Sequence, residues 1–309
     1  VVEYRTYGEV GQTIYVSQDG KPGNLGTVES PLDIYTAVKY AQPGQTILLA
    51  GGRYSLTSTL QIPNGIDGKP AGEGEDKYQN YIKMMGNPDD VANGNRPVLD
   101  FNSKVAAVVT VGDYWYFKDF DVIRCKDGEK GIQASGSYCV FDRVDTYKNG
   151  STGLQICRAS GTDTYQDWPH DNLVLNCNSY LNVDAGHEDA DGFAAKLTSG
   201  SNNVFDGCIA AFNADDGWDL FAKAQTGSIG AVTIKNSIAY RNGYILLDEN
   251  GNLDEHGKCI QGQGNGNGFK MGGDGLKAGT EYDPDYNPDA IVPQSGHKLF
   301  NSLAFHNKS

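Results

Sequence analysis

Four aspartates and one lysine stand out by type and spacing: Asp191, Asp215, Asp216, Asp219 and Lys270. Asp191 and Asp216 each precede a glycine, while Asp219 and Lys270 each stand two places after one. Carboxylates packed close together repel and raise each other's pKa unless a cation compensates. An all-oxygen set with several carboxylates suits calcium better than zinc or copper. A lysine beside such a set is a candidate general base, provided desolvation or a bound cation lowers its pKa from about 10.4. Uncompensated aspartates would push that pKa the other way, so activity is expected to favour alkaline pH. The plainer alternatives are a solvated acidic turn and an ordinary surface lysine.

These residues are far apart in the chain, so a repeat must gather them. Five segments align without gaps: 140–149, 173–182, 204–213, 233–242 and 298–307. Each ends in Asn (Asn149, Asn182, Asn213, Asn242, Asn307), and an aromatic stands two places earlier in four of them: Tyr147, Tyr180, Tyr240 and Phe305. The first three intervals between the asparagines are 33, 31 and 29 residues. Such spacing fits three strands per coil of a parallel β-helix with variable turns. After the asparagines comes a Gly-apolar-x-apolar element at Gly153, Gly192, Gly217 and Gly268, with an earlier copy at Gly131. Equivalent slots of successive coils stack about 4.8 Å apart. The slot before the glycine then holds Thr152, Asp191, Asp216 and Asn267, and the slot two after it holds Gln155, Ala194, Asp219 and Lys270. The asparagines become a ladder that satisfies turn backbone groups, and Cys177 and Cys208 become core neighbours.

The rest of the chain supplies the frame. A strand is expected at Thr13-Ile14-Tyr15-Val16, followed by one amphipathic helix with Ser30 as N-cap, Pro31 in its first position and Ile34, Ala37, Val38 and Ala41 on one face. A helix before many strands is what caps the open edge of a β-solenoid. Further strands are expected at Thr46–Leu49, Leu60–Ile62, 98–101, 107–111 and 114–123; residues 64–96 and 272–296 read as long loops, and no later helix is expected. The whole chain, 1–309, reads as one all-β domain, a parallel β-helix with an N-terminal cap over about 1–63. The start at Val1 and a final stretch like the middle of a repeat lead to the expectation that the chain is trimmed and that further coils follow. The six cysteines lack the close pairs of a zinc site and read mostly as small buried hydrophobes, with disulfides left open.

A net charge of −14 argues against nucleic acid as a partner, and no apolar run reaches membrane-spanning length. If the ligand is an acidic polymer, a bound cation must offset the repulsion.

The stretches 189–196 (Asp-Ala-Asp-Gly-Phe-Ala-Ala-Lys), 213–220 (Asn-Ala-Asp-Asp-Gly-Trp-Asp-Leu) and 267–270 (Asn-Gly-Phe-Lys) resemble the family 9 polysaccharide lyases, the pectate lyases of that group. The resemblance covers most of the chain and extends to 43–47 and 112–116. It implies a right-handed β-helix, calcium held by Asp191, Asp215, Asp216 and Asp219, and Lys270 as the base of a β-elimination on polygalacturonate. A secreted monomer is expected. The apparent early C-terminal stop and the insert at 246–264 depart from the family's pattern and leave the extent of the cleft open.

Three other readings compete: a rhamnogalacturonan lyase of the same family, a pectin glycoside hydrolase using Asp215 and Asp216 as its carboxylate pair, and a non-catalytic carbohydrate-binding solenoid. The hydrolase lacks its His-containing motif here, and His187 reads as a turn residue. Trp168 as a sugar-stacking ring, and Arg158 and Arg241 as forks for substrate carboxylates, are weak candidates for substrate binding.

Overall fold

The computed structural model describes residue 7 and residues 12–223, 226–272 and 296–309. Apart from one hairpin, its strands fall into three parallel stacks, most of them short and with alternating inward and outward side chains. The first runs from Thr13–Val16 through Thr46–Leu49, Ile82–Gly86, the first halves of Trp115–Ile123 and Val140–Tyr147, Leu173–Leu175, Asn203–Asp206 and Val232–Lys235 to Lys298–Phe300. The second begins at Gly52–Ser55 and Pro97–Asp100 and continues through Asn178–Tyr180, Ile209–Ala211 and Ile238–Tyr240 to Leu303–Phe305. The third contains Leu60–Ile62, Val108–Thr110, Ile132–Ala134, Leu154–Ile156, Phe193–Ala195, Trp218–Asp219 and Phe269–Lys270. This is a parallel β-helix, and the slots aligned by repeat are the slots that pair.

Most corners between stacks are made by non-glycine residues at positive φ, with Gly207 the exception between Asn203–Asp206 and Ile209–Ala211. Asp119, Arg143, Asn176, Asn236 and Asn301 turn the chain from the first stack to the second; Arg124, Lys148, Leu181, Phe212, Arg241 and His306 turn it from the second to the third. Each left-handed residue costs roughly 1 kcal/mol, which the stacking of neighbouring coils offsets. Immediately after the second corner the asparagine ladder forms. Asn149, Asn182, Asn213 and Asn242 each donate Nδ2–H to the Oδ1 of the next, at 2.9–3.0 Å, ending on Asn307. Tyr147 stacks on Tyr180 at 4.8 Å and Tyr240 on Phe305 at 5.4 Å. Inside, Phe193, Trp218 and Phe269 stack in series at 5.0 and 4.8 Å.

The N-terminal helix spans Ile34–Tyr40 and buries Ile34, Ala37 and Val38 against the first coil. Its N-cap is Asp33, whose carboxylate accepts the Thr36 N–H at 3.0 Å, so the expected start at Ser30 and Pro31 is corrected. The helix begins late because Leu32 stays extended, bridging Val16 and fully buried. The expected loop 64–96 contains the strand Ile82–Gly86 and the short helix Pro88–Ala92, capped by Asn87. That helix, one turn and a half long, has no period for a sequence reading to detect. Of the loop expected at 272–296, residues 273–295 lie outside the described residues. The insert at 246–264 is largely an antiparallel hairpin pairing Tyr244–Leu247 with Lys258–Gln261. All six cysteines are free thiols; five are buried and Cys259, on the hairpin, is exposed.

Candidate active site

The site grows out of the turn that follows the asparagine ladder. Asn213 fixes the backbone there, and the next residues are Ala214, Asp215, Asp216 and Gly217. Gly217 is required by space: a Cβ would lie 2.5 Å from the Gly268 carbonyl oxygen and 2.8 Å from Asn242 Nδ2. Backbone N–H groups of Gly153, Gly192 and Gly217 donate to the carbonyls of Asp191, Asp216 and Asn267 at 2.8–3.0 Å, so the turns lie one above another. The column Thr152, Asp191, Asp216, Asn267 follows from this. Thr152 Oγ1 donates to Asp191 Oδ2 at 3.1 Å, and Asn267 donates to Asp216 Oδ1 from N at 2.7 Å and Nδ2 at 2.8 Å. Three residues later, Ala194 pairs with Asp219 and Asp219 with Lys270.

Carboxylate oxygens of Asp191, Asp216 and Asp219 lie within 4.8 Å of one another, and all three residues are buried. Asp215 stands at the edge of this group. Its Oδ1 accepts the N–H groups of Asn265 at 2.6 Å and Gly266 at 3.3 Å, and its side chain lines the cleft. Lys270 Nζ is 3.2 Å from Asp216 Oδ2 and 3.4 Å from Asp219 Oδ1, and it sits over the Phe221 ring at 5.2 Å. The five residues singled out in the sequence therefore converge, although they come from three successive coils.

Burial and the charge of Asp216 push the Asp215 carboxyl up to about 6. Burial likewise raises Asp191, opposed by the Lys196 charge and helped by Asp219 and Asp215. For Lys270, burial lowers the pKa, but the charges of Asp219 and Asp216 outweigh it and the net direction is upward. Without a compensating cation the lysine is thus held protonated, as the sequence argument anticipates for uncompensated aspartates.

The donor set fits a hard divalent cation. It consists of oxygen atoms only, and the buried Asp216 Oδ2 accepts no hydrogen bond, its nearest positive group being the Lys270 ammonium.

Sequence reasoning missed Lys196. Its Nζ lies 2.6 Å from Asp191 Oδ2 and 2.9 Å from Asp219 Oδ2, between the two carboxylates. Strand alternation offered a signal, since Lys196 stands two places after Ala194, which shares a column with Asp219. The cleft outside this cluster holds about 540 Å³ and is also lined by Lys130, Glu188, Asp189, Phe221, Lys223 and Gln263. The segment after the hairpin, 263–265, supplies one wall, anchored where Gln263 and Gly264 donate to the His187 carbonyl at 2.7 and 3.0 Å. His187 itself sits in a turn at positive φ.

The weak substrate-binding candidates lie elsewhere. Trp168 is 3% exposed in the core and donates to the Asp163 carbonyl, which removes it as a stacking platform. Arg158 is tied to the Asp163 carbonyl, and Arg241 forms a corner over the Phe212 ring; neither lines the cleft.

Residues 14–309 match the family described as Pel9A-like, right handed beta helix region. The chain belongs to this family. The right-handed β-helix and the resemblance to family 9 polysaccharide lyases read from the sequence are both borne out. A relative from Thermoclostridium stercorarium, pectate lyase L, is 39% identical over 306 residues, covering 99% of this chain and 21% of its own. Pectate lyase L of Paenibacillus polymyxa (strain SC2) is 39% identical over 302 residues, covering 96% and 58%. The crystal structure of pectate lyase Pel9A superposes with a TM-score of 0.66 at 30% identity, over 97% of this chain and 64% of that one. A rhamnogalacturonan lyase at 23% identity, TM-score 0.69, shares the fold. The chain thus spans between about a fifth and two thirds of the length of the pectate lyases it matches.

Proposed function

We propose that this chain is the catalytic β-helix of a calcium-dependent pectate lyase, cleaving polygalacturonate by β-elimination. The observation that carries the reading is the convergence of Asp191, Asp216, Asp219 and Lys270 in one cleft of a Pel9A-like β-helix. Asp191, Asp216 and Asp219 would hold the cation, with Asp215 contributing from the cleft edge. When bound, calcium would draw charge from a uronate carboxylate and make the neighbouring C5–H more acidic. Lys270, half-buried, over Phe221 and lining the cleft, would be the base. Its amine takes the C5 proton, the electron pair forms the C4=C5 double bond, and the C4–O bond breaks with its electrons going to the leaving sugar oxygen. That oxygen then takes a proton from solvent. The product carries a 4,5-unsaturated end.

Three features support an anionic substrate despite the net charge of −14. A bound cation would offset the repulsion between protein and polymer, while Lys130 and Lys223 place two further ammonium groups along the cleft. A polymer of this size places the enzyme outside the cell that makes it. Among the described residues no helix is long and apolar enough to cross a membrane.

Absorbance of unsaturated product from polygalacturonate, at alkaline pH with calcium and then with excess chelator, tests the reading. A signal that chelator abolishes is expected. Reducing ends without that absorbance would replace the lyase by a hydrolase, and neither signal would leave a binding solenoid.

A further inference from the structure

Lys196 follows the strand Phe193–Ala195 and, at the wall of the cleft, turns its side chain into the carboxylate cluster, with the side chain 17% exposed. An ammonium group this buried is costly unless it is paired. Here it is paired twice, to Asp191 Oδ2 at 2.6 Å and to Asp219 Oδ2 at 2.9 Å. Asp191 and Asp219 sit on different coils, so Lys196 joins the two coils that build the site. Each aspartate gives Lys196 one oxygen and keeps Oδ1, which accepts the N–H of Asp216 at 3.3 Å and of Phe221 at 3.0 Å respectively. With every group charged, the four carboxylates of the site and the two ammonium groups of Lys196 and Lys270 leave a formal charge of −2. One divalent cation cancels it.

We propose that Lys196 is the resident counter-cation of this cluster: it holds Asp191 and Asp219 together when no metal is bound and, by its charge, limits how tightly the metal is held. The inference rests on the metal reading given above. Its physical basis is linkage. An ammonium and a divalent cation that share carboxylates repel one another, so the stabilisation Lys196 gives the metal-free cluster is partly lost when metal enters. Lys196 is a positioning residue, acting through Asp191 and Asp219.

The test compares wild type, Lys196→Met and Lys196→Arg by calcium titration calorimetry and by thermal melting in calcium and in chelator. For Lys196→Met the melting temperature in chelator is expected to fall by several degrees, and the calcium Kd to tighten by about tenfold or more. Lys196→Arg, which keeps the charge, is expected to stay near wild type on both. A Met variant that folds only with calcium is the extreme form of the expected result. If it folds in neither condition, Lys196→Gln undergoes the same test with the same expected shifts. An unchanged Kd with unchanged melting in chelator overturns the proposal. So does weaker calcium binding, which would make Lys196 a strut for ligand geometry. If wild type binds calcium but the variant is unshifted, only the role of Lys196 falls. If wild type binds none, the metal reading falls with it.

Discussion

At the scale of single residues, the site is a problem in charge compensation. Asp215 is held at about 6 and Asp191 is also raised, both chiefly by burial. Their folded pKa values exceed those of the unfolded chain, near 3.9, so the metal-free fold binds more protons than the unfolded chain between those limits. Acid therefore stabilises the metal-free protein through these groups, and that contribution is lost as pH rises through about 6. Calcium needs the same carboxylates deprotonated, so its affinity moves the other way. The gain in melting temperature on adding calcium is expected to shrink as pH falls from 8 to 5, measured by thermal denaturation with and without chelator. A gain independent of pH would mean that Asp215 and Asp191 do not contact the metal. At this scale the aspartate and lysine columns were legible because the repeat register places them. Lys196 was not, since its role comes from where its long side chain ends, and that is set by Asp191 and Asp219 on two coils rather than by its own slot.

At the scale of elements, the decisive unit is the ladder asparagine, the acidic turn and the close-packed glycine. Gly217 separates Asp216 from Trp218-Asp219 and packs where no Cβ fits. Gly217→Ala would drive a methyl group into the Gly268 backbone, shifting both Asp216 and Asp219. The expected outcome is a loss of about 2 kcal/mol in stability, read by urea unfolding, with a calcium affinity reduced about tenfold or more in calorimetry. Unaltered calcium affinity would show that the turn does not position the ligands. Elements with a strong period or a repeat were legible: most strands of the three stacks, the asparagine ladder and the helical face of Ile34, Ala37 and Val38. The helix start was misplaced because Ser30 and Asp33 are both good capping residues, and the choice was made by the burial of Leu32. The strand Ile82–Gly86 was hidden because its outward Lys83 and its setting among Gly, Pro and Asp residues read as loop. Its pairing partners, Thr46–Leu49 and Trp115–Ile123, supply the evidence that local sequence lacks.

At the scale of the molecule, a β-helix turns residues 51 positions apart, Asp219 and Lys270, into neighbours across one face. Such a fold is stabilised coil against coil, here by the serial stack of Phe193, Trp218 and Phe269 beneath the site. The same stacking that buries the aromatics spaces the carboxylates, so fold and site share one register. It also explains why the overall architecture was readable from one sequence: a repeat states its own geometry, whereas the hairpin Tyr244–Leu247 and Lys258–Gln261, present once, states nothing about where it packs. In the proposed reaction an anionic protein acts on an anionic polymer, which needs positive groups concentrated in the cleft, and Lys270 is the one proposed to react. The most direct measurement is turnover of polygalacturonate by Lys270→Ala, with calcium binding measured on the same sample. The account predicts that unsaturated product falls by about a thousandfold or more while calcium still binds at least as tightly as in wild type. Turnover within a few fold of wild type, with calcium bound, would contradict it.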